Sequence, residues 1–351
     1  MLKTFANAWK IPDLRKKILF TALILLIFRI GAAIPVPFVN AGQGGIFNDA
    51  QLSGTFMEYL NMMTGNAFNY GTIFAMSITP YINSSIIIQL LTVAIPALER
   101  LAKDGEEGRK KIATITRYVT VGLGVMQSTA YYFYLRGNGF LLEDKAGDPF
   151  TGFAAVFQAL VIILSLTAGT ALIMWLGEQI NDKGIGNGIS LILFAGIVAR
   201  VPTIIAQLFS PDGGYFSYGA VYAVLSVAVA LCLLLMIAYI VWMDNAERRI
   251  PVQYAKRVVG RKMYGGQSTH IPIKVNMSGV MPVIFAQSIC SIPATICTFT
   301  GNTSGWWYEN VFSSTSWIYT VFYGLMIFFF SWFYSQIQYD PVEISNNLKK
   351  N

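Results

Sequence analysis

Charge is scarce in this sequence: Asp, Glu, Lys and Arg make up 12% of 351 residues, about half of what a water-facing surface carries. A chain of this length with so little charge is not a set of soluble domains. Histidine is nearly absent, with His270 alone, and the three cysteines, Cys232, Cys290 and Cys297, all fall inside apolar stretches. Those residues supply neither the spacing of a zinc or haem site nor a disulfide framework, so no metal and no cofactor is expected. HExxH, GxSxG and a paired Asp within an apolar stretch are also missing, which argues against an intramembrane enzyme. None of the 18 acidic residues lies in the middle of an apolar block. An ion-coupled transporter usually places a carboxylate there, so that class is disfavoured too.

What the sequence has in quantity is apolar residues, 54% of the chain, gathered into blocks of the length a helix needs to cross a bilayer. Eight spans are predicted: Ile18–Ile34, Thr72–Ile95, Ile112–Leu135, Phe153–Leu176, Ile189–Phe209, Tyr218–Met243, Met277–Phe299 and Trp317–Ile337. The expected fold class is therefore an all-α polytopic membrane protein. The first span follows basic residues and ends in Gly31-Ala32-Ala33, as a cleavable signal peptide would, but the further spans favour an uncleaved helix. Arg200 and Pro202 interrupt the fifth span, so its buried part is expected to stop near Arg200. Twenty-one of the 25 Lys and Arg lie in the N-terminus, alternate loops and the tail, against Arg136 and Lys145 on the other side. The positive-inside rule then puts both termini in the cytoplasm.

Four regions carry further information. In the first outer loop, Thr55–Thr64 is amphipathic, with Phe56, Leu60 and Met63 on one helical face and Gly65 closing it. It is too short to span, and reads equally as a half-helix folded back into the bundle or as an interfacial helix. In the second span, Pro80 predicts a kink. Ile78 and Ile82 share a face there, while Asn83, Ser84, Ser85 and Gln89 need partners inside the protein. By periodicity the isoleucines read first as packing residues. In the seventh span Pro282 and Pro293 bracket Ile284, Gln287 and Ser288, and a bend is expected. Between the sixth and seventh spans, residues 244–276 hold two stretches of strand character, Ile250–Tyr254 and His270–Val275, with Gly260 and Gly265-Gly266 between them. Lys256, Arg257, Arg261 and Lys262 lie near the expected hairpin tip, away from the membrane. That favours docking of an anionic partner, ribosomal RNA phosphate or an acidic protein face, over a plain topology signal.

Several long motifs resemble one family, SecY, the central subunit of the bacterial protein-conducting channel. They are Phe28-Arg-Ile-Gly31, Ile78-Thr-Pro-Tyr-Ile82, Ser85–Leu91, Gly108–Ile112, Met174–Ile180, Gly184–Ser190, Phe194–Val198, Tyr254–Arg257, Gln267–Asn276 and Asn346–Lys350. The resemblance implies a SecY-type inverted-repeat bundle round an hourglass pore that opens across the membrane and sideways into lipid. It makes Ile78, Ile82, Ile189, Leu193 and Ile284 a hydrophobic pore ring, reversing the packing reading of the first two. Phe56, Leu60 and Met63 become part of a plug at about 55–65, and Asn83, Gln89, Gln127, Asn276 and Gln287 polar contacts at a lateral gate. It also implies SecE and SecG as companion subunits, the SecA ATPase or the ribosome, with its ribosomal RNA, as the source of force, and signal peptides, nascent chains and membrane lipids as contacts. The location implied is the bacterial cytoplasmic (inner) membrane.

The expected organisation is a cytoplasmic N-terminus (1–17), a first half (18–209), a second half (210–338) with a cytoplasmic loop at 244–276, and a cytoplasmic tail (339–351). The family has ten helices where this sequence has eight, so a fragment of a longer gene product is expected in preference to a degenerate paralogue. The function implied is passive protein conduction with release of membrane segments through a lateral gate. The alternatives are an ion-coupled small-solute transporter and a non-conducting membrane insertase or assembly scaffold.

Overall fold

The computed structural model of the protein describes residues 9–40, 42, 45–46, 56–142, 150, 152–209, 219–252, 257–259, 262–264, 269–276, 279–299, 310–311 and 316–338. The expectations for 1–8, Thr55, Lys256, Arg261 and the tail from 339 onward lie outside these residues. Two compact units emerge, Met1–Pro202 with Ser291–Tyr319, and Thr203–Cys290 with Thr320–Asn351.

The first unit is built on α1 (Pro12–Gly31), α2 (Phe56–Thr64), α3 (Thr79–Ala94), α4 (Pro96–Lys103), α5 (Gly105–Gly137), α6 (Phe153–Lys183) and α7 (Gly188–Val198). Helix α8 (Val201–Phe209) follows α7 after a turn at Ala199–Arg200, the point at which the sequence predicts an interruption. Proline sets the start of α1, α3 and α4, where its missing N–H costs nothing. This corrects one expectation: Pro80 lies in the first turn of α3 and does not kink it. A second correction follows, because Thr72–Ile78 is a run of turns and not helix. The sharp break comes instead at Ile95, where α3 and α4 meet at 102°, since Pro96 cannot donate to continue the ladder.

Helix α5 lies between α3 and α6, and α6 in turn carries α7 and α1. Small residues make these approaches possible. Thr116, Thr120, Gly124 and Ser128 recur every four residues on α5 and are all buried, one stripe along one face. The Ser84 hydroxyl of α3 donates to Thr116 O at 2.7 Å, and Thr167 Oγ1 of α6 to Ser128 Oγ at 3.5 Å. A core of Val36, Ile46, Phe68, Met76, Tyr131, Tyr132, Leu135, Ile162 and Leu166 fills one end of the unit, where residues of 34–40, Ile46 and 67–76 pack on α5 and α6. Tyr131 donates its hydroxyl to Phe68 O at 2.8 Å, satisfying a group that is otherwise enclosed.

The second unit holds α9 (Ala220–Asp244), two small antiparallel sheets, most of α10 (Met281–Phe299) and most of α11 (Trp317–Gln338). Strand β1 (Glu247–Val252) pairs with β4 (Thr269–Lys274) from Glu247↔Lys274 to Val252↔Thr269, three residues earlier in the chain than the predicted strand begins. Between them β2 (Arg257–Val259) pairs with β3 (Lys262–Tyr264), a second hairpin that the alternation did not reveal. In α10, Pro282 stands at the second position and only Pro293 lies inside the helix. Phe285 of α10 packs on Phe330 and Tyr334 of α11 at ring separations of 5.6 and 6.1 Å.

Every predicted span thus holds helix. Among the described residues, four helices are long and apolar enough to cross a membrane, Phe153–Lys183, Gly188–Phe209, Val221–Asp244 and Trp317–Gln336, or five with the bent α3–α4 pair. Helix α1 falls short because Asp13, Arg15, Lys16 and Lys17 occupy its first turns, and α5 because its inward stripe is Thr, Gly and Ser.

Candidate functional site

The nine-residue helix α2 is the feature that sets this bundle apart. It packs against α7 inside the first unit, and Asn61, Met63 and Thr64 are buried, so it does not lie on the outside as an interfacial helix would. Leu60 is half-buried against the core, while Met62 on the opposite face is 46% exposed. Its end is closed by local chemistry. Gly65 adopts φ +62°, its N–H reaches Met62 O at 3.3 Å, and Asn66 N–H reaches Asn61 O at 3.0 Å, the paired bonds of a Schellman turn. The side chains continue the closure: Asn61 Nδ2 donates to Asn66 Oδ1 at 3.0 Å, and Asn61 Oδ1 accepts from Asn69 N at 3.2 Å.

Helix α2 meets α7 backbone to backbone. A Cβ on Gly196 would stand 2.4 Å from Met63 O, and one on Gly65 would stand 2.8 Å from Gly196 O, both closer than any side chain permits. From the other side Arg29 of α1 donates to Gly65 O at 3.4 Å. The Phe28–Gly31 motif thereby acquires a physical meaning. Phe28 stacks on Phe74 at 5.8 Å, Gly31 leaves room for the same ring, with its Cβ position only 2.1 Å from Phe74 Cε2, and Arg29 reaches the short helix.

The turn into α7 is likewise explained. Asn187 caps the helix by accepting from Ile189 N and Ser190 N at 3.1 and 3.3 Å, and Gly188 N donates to Asn181 Oδ1 at 2.7 Å. A Cβ on Gly188 would sit 2.1 Å from Gly177 O, so α6 and α7 cross here at backbone contact.

Of the sequence-predicted ring residues, Ile78 stands at the N-cap of α3 and Ile82 in its first turn, and they are 0% and 8% exposed. Ile189 and Leu193 are half-buried on α7, flanking Ile192, which is fully enclosed and was not singled out by the sequence. Ile189 also lies against Gly177 of α6, 3.3 Å from that residue's Cβ position. Ile284 is half-buried on α10 and belongs to the second unit. Just before Ile78, Ser77 holds φ +48°, a left-handed conformation uncommon outside glycine. Its hydroxyl is buried without a hydrogen-bond partner among the described residues, as are Thr79 Oγ1 and Arg200 Nη1.

The predicted gate residues divide between the units. Asn83 and Gln127 are half-buried and Gln89 is exposed, on α3 and α5 of the first. In the second, half-buried Asn276 accepts from Gly279 N at 3.2 Å ahead of α10, and Gln287 is half-buried on that helix. In the predicted docking loop, Arg257 opposes Tyr264 and Lys262 opposes Val259 across β2 and β3. Sequence reasoning missed an ion pair: Arg117 Nε of α5 donates to Glu178 Oε1 of α6 at 2.8 Å. No group of three or more His, Cys, Asp or Glu able to hold a metal occurs among the described residues.

Comparison with known proteins agrees with this architecture. The SecY family model matches residues 72–351. The protein translocase subunit SecY of Streptomyces scabiei is 44% identical over 358 residues, covering 100% of this chain and 80% of the relative. That of Thermotoga maritima is 43% identical over 355 residues, covering 100% and 78%. Among solved structures, "The structure of a protein conducting channel" aligns with a TM-score of 0.54 at 19% identity, over 85% of this chain and 63% of that one. "Sec61 in the Canine ribosome-channel complex from the endoplasmic reticulum" aligns with a TM-score of 0.52 at 18% identity, over 85% and 64%. Likeness at that identity carries the fold, and the end-to-end identity to the bacterial relatives carries the family: the chain belongs to the SecY family of protein translocase subunits.

Proposed function

We infer that the chain is the channel-forming subunit of a protein translocase, a non-enzymatic conduit for unfolded polypeptides in a bacterial cytoplasmic membrane. The observation that carries this reading is the match over the whole chain, above 40% identity, to curated translocase subunits. Eight spans cross with both termini cytoplasmic. The SecE and SecG subunits accompany the chain, and the SecA ATPase or the ribosome supplies the force. The ribosome finds support in the canine Sec61 neighbour, a channel solved in complex with the ribosome.

In this reading α2 is a plug to which Phe56, Leu60 and Met63 belong, and Ile78, Ile82, Ile189, Leu193 and Ile284 form an apolar ring that excludes hydrated ions. The enclosure of Ile78 and Ile82 supports a closed resting constriction. Asn83, Gln89, Gln127, Asn276 and Gln287 are the polar contacts of a lateral gate, where weak helix–helix adhesion lets a signal sequence insert. The loop 244–276, with Lys256, Arg257, Arg261 and Lys262, docks the ribosome or the motor. An ion-coupled transporter is not favoured, since the curated relatives matched over the whole chain are translocase subunits.

A stalled secretory chain with a photoreactive residue after its signal sequence tests the reading. It should crosslink to positions 82 and 284 in the membrane-embedded complex. Replacing Ile82 or Ile284 by Asn should raise resting ion leak and admit weaker signal sequences. Absence of crosslinks to both positions, with a normally inserted complex, overturns the conduit. No rise in leak from any of the five ring substitutions overturns the ring.

A further inference from the structure

We propose that Arg29, Gly65 and Gly196 form a latch that holds α2 in its seat, with Arg29 as the positioning residue. The inference deepens the plug reading of α2 and rests on it. Three independent observations converge on one spot, the carboxyl end of this short helix. A helix end of this kind presents unpaired carbonyls and about half a negative charge. Arg29 Nη1 donates to the carbonyl of Gly65, the first residue past this helix end, at 3.4 Å. Arg29 is otherwise an exposed residue. It therefore pins the helix end by a charge-assisted bond without being part of the core.

The second observation is steric. Gly196 lets α7 approach until Met63 O stands 2.4 Å from where its Cβ would be, and Gly65 returns the contact against Gly196 O at 2.8 Å. A single methyl on Gly196 therefore displaces the seat. The third is that α2 needs neither of these contacts to remain a helix. Its last turn is closed by its own bonds, Gly65 N to Met62 O and Asn66 N to Asn61 O, and Thr64 Oγ1 accepts from Phe68 N at 3.1 Å. Arg29 is thus superfluous for folding α2 and is spent on where α2 sits. The motif residue between Phe28 and Ile30 selects the closed arrangement, and its loss should shift the closed-to-open ratio about three- to tenfold, the range of a partly exposed charge-assisted bond.

The test uses the full membrane complex reconstituted in a planar bilayer, with Arg29→Gln, Arg29→Lys, Gly196→Ala and, as a control, Arg136→Gln at the far end of α5. Resting conductance should rise about three- to tenfold for Arg29→Gln and Gly196→Ala, stay at the wild-type level for Arg136→Gln, and be restored by Arg29→Lys. A second readout does not depend on conduction. Spin labels on cysteines at exposed Met62 and Ile197, with Cys232, Cys290 and Cys297 replaced by alanine, report the α2–α7 separation. Arg29→Gln should broaden that distribution, and Arg29→Lys should narrow it again. A distribution unchanged by Arg29→Gln overturns the latch, as does one broadened equally by Arg29→Gln and Arg29→Lys. A broadened distribution with unchanged conductance upholds the latch and overturns the plug reading instead.

Discussion

Two glycines on neighbouring helices should respond to the same methyl in opposite directions. At Gly169 of α6 a Cβ would stand 2.1 Å from Ile73 O and 2.9 Å from Ile73 C. Both obstacles are backbone, held where Ile73 N–H donates to Ile34 O at 3.0 Å, so neither can rotate away. Ordinary contact begins near 3.4 Å, and Gly169→Ala must therefore part α6 from the 72–78 segment by about 1.3 Å. Overpacking of that kind costs about 1–3 kcal/mol. At Gly124 of α5 the nearest atoms to a Cβ would be the methyls of Thr167 and Thr170, at 3.7 and 4.0 Å. That is comfortable contact, and alanine gains about 0.5–1 kcal/mol over glycine in a helix. Both sites are helix interiors, so that gain is common to the two and they should differ by the overpacking cost, about 1–3 kcal/mol, despite identical chemistry. Thermal unfolding of the detergent-solubilised complex, followed by retention of the intact species on gel filtration, reads the difference. Gly169→Ala should melt several degrees below wild type and Gly124→Ala at or slightly above it. Gly169→Ala melting with or above Gly124→Ala would refute the claim that α6 is held at backbone contact with Ile73.

Three further outcomes follow from particular contacts. Tyr131→Phe removes one of two donors to Phe68 O, Gly71 N–H remaining at 3.2 Å, and should cost about 0.5–1.5 kcal/mol, read by the same melting assay, while Tyr118→Phe on the exposed side of α5 should be neutral. Arg117→Glu and Glu178→Arg should each destabilise by about 1 kcal/mol or less, because the pair is partly solvated, and the double exchange should recover most of the loss; a double variant no better than the worse single one refutes the pairing. Arg257→Glu with Lys262→Glu should weaken ribosome or motor binding in a salt-dependent way while insertion is unaffected, and binding unchanged at low and high salt removes the loop from docking.

Much of the helical plan was readable because bilayer burial imposes long apolar blocks, and the interruption at Arg200 was readable because an Arg and a Pro stand together. The amphipathic face of Thr55–Thr64 showed a short helix, but the choice between a folded-back and an interfacial one needed the seat on α7. Where the reading failed, the cause was tertiary. Pro80 looks the same in a string of letters whether it kinks a helix or opens one; only the turns of Thr72–Ile78, which return the chain beneath α6, make it a start. Glycines 65, 169, 188 and 196 likewise become informative only with the backbone they face, since glycine spacing alone does not name a partner. Arg117 and Glu178 lie 61 residues apart, and no local periodicity links them. The second hairpin, Arg257–Val259 with Lys262–Tyr264, escaped because its strands are three residues each, too short for alternation to register.

The way the short helix ends has a kinetic consequence. Among the described residues, the bonds that close the last turn run within 61–69, so moving that stretch as one body breaks none of them. The helix can travel as a preformed body, with no segment to melt before departure and none to refold on return. Motion of that type belongs to the microsecond-to-millisecond range of hinged elements and not to the slower range of local unfolding. If α2 is the plug proposed above, reclosure after each translocated chain should be limited by how soon the vacated space clears, and not by any folding step of α2 itself.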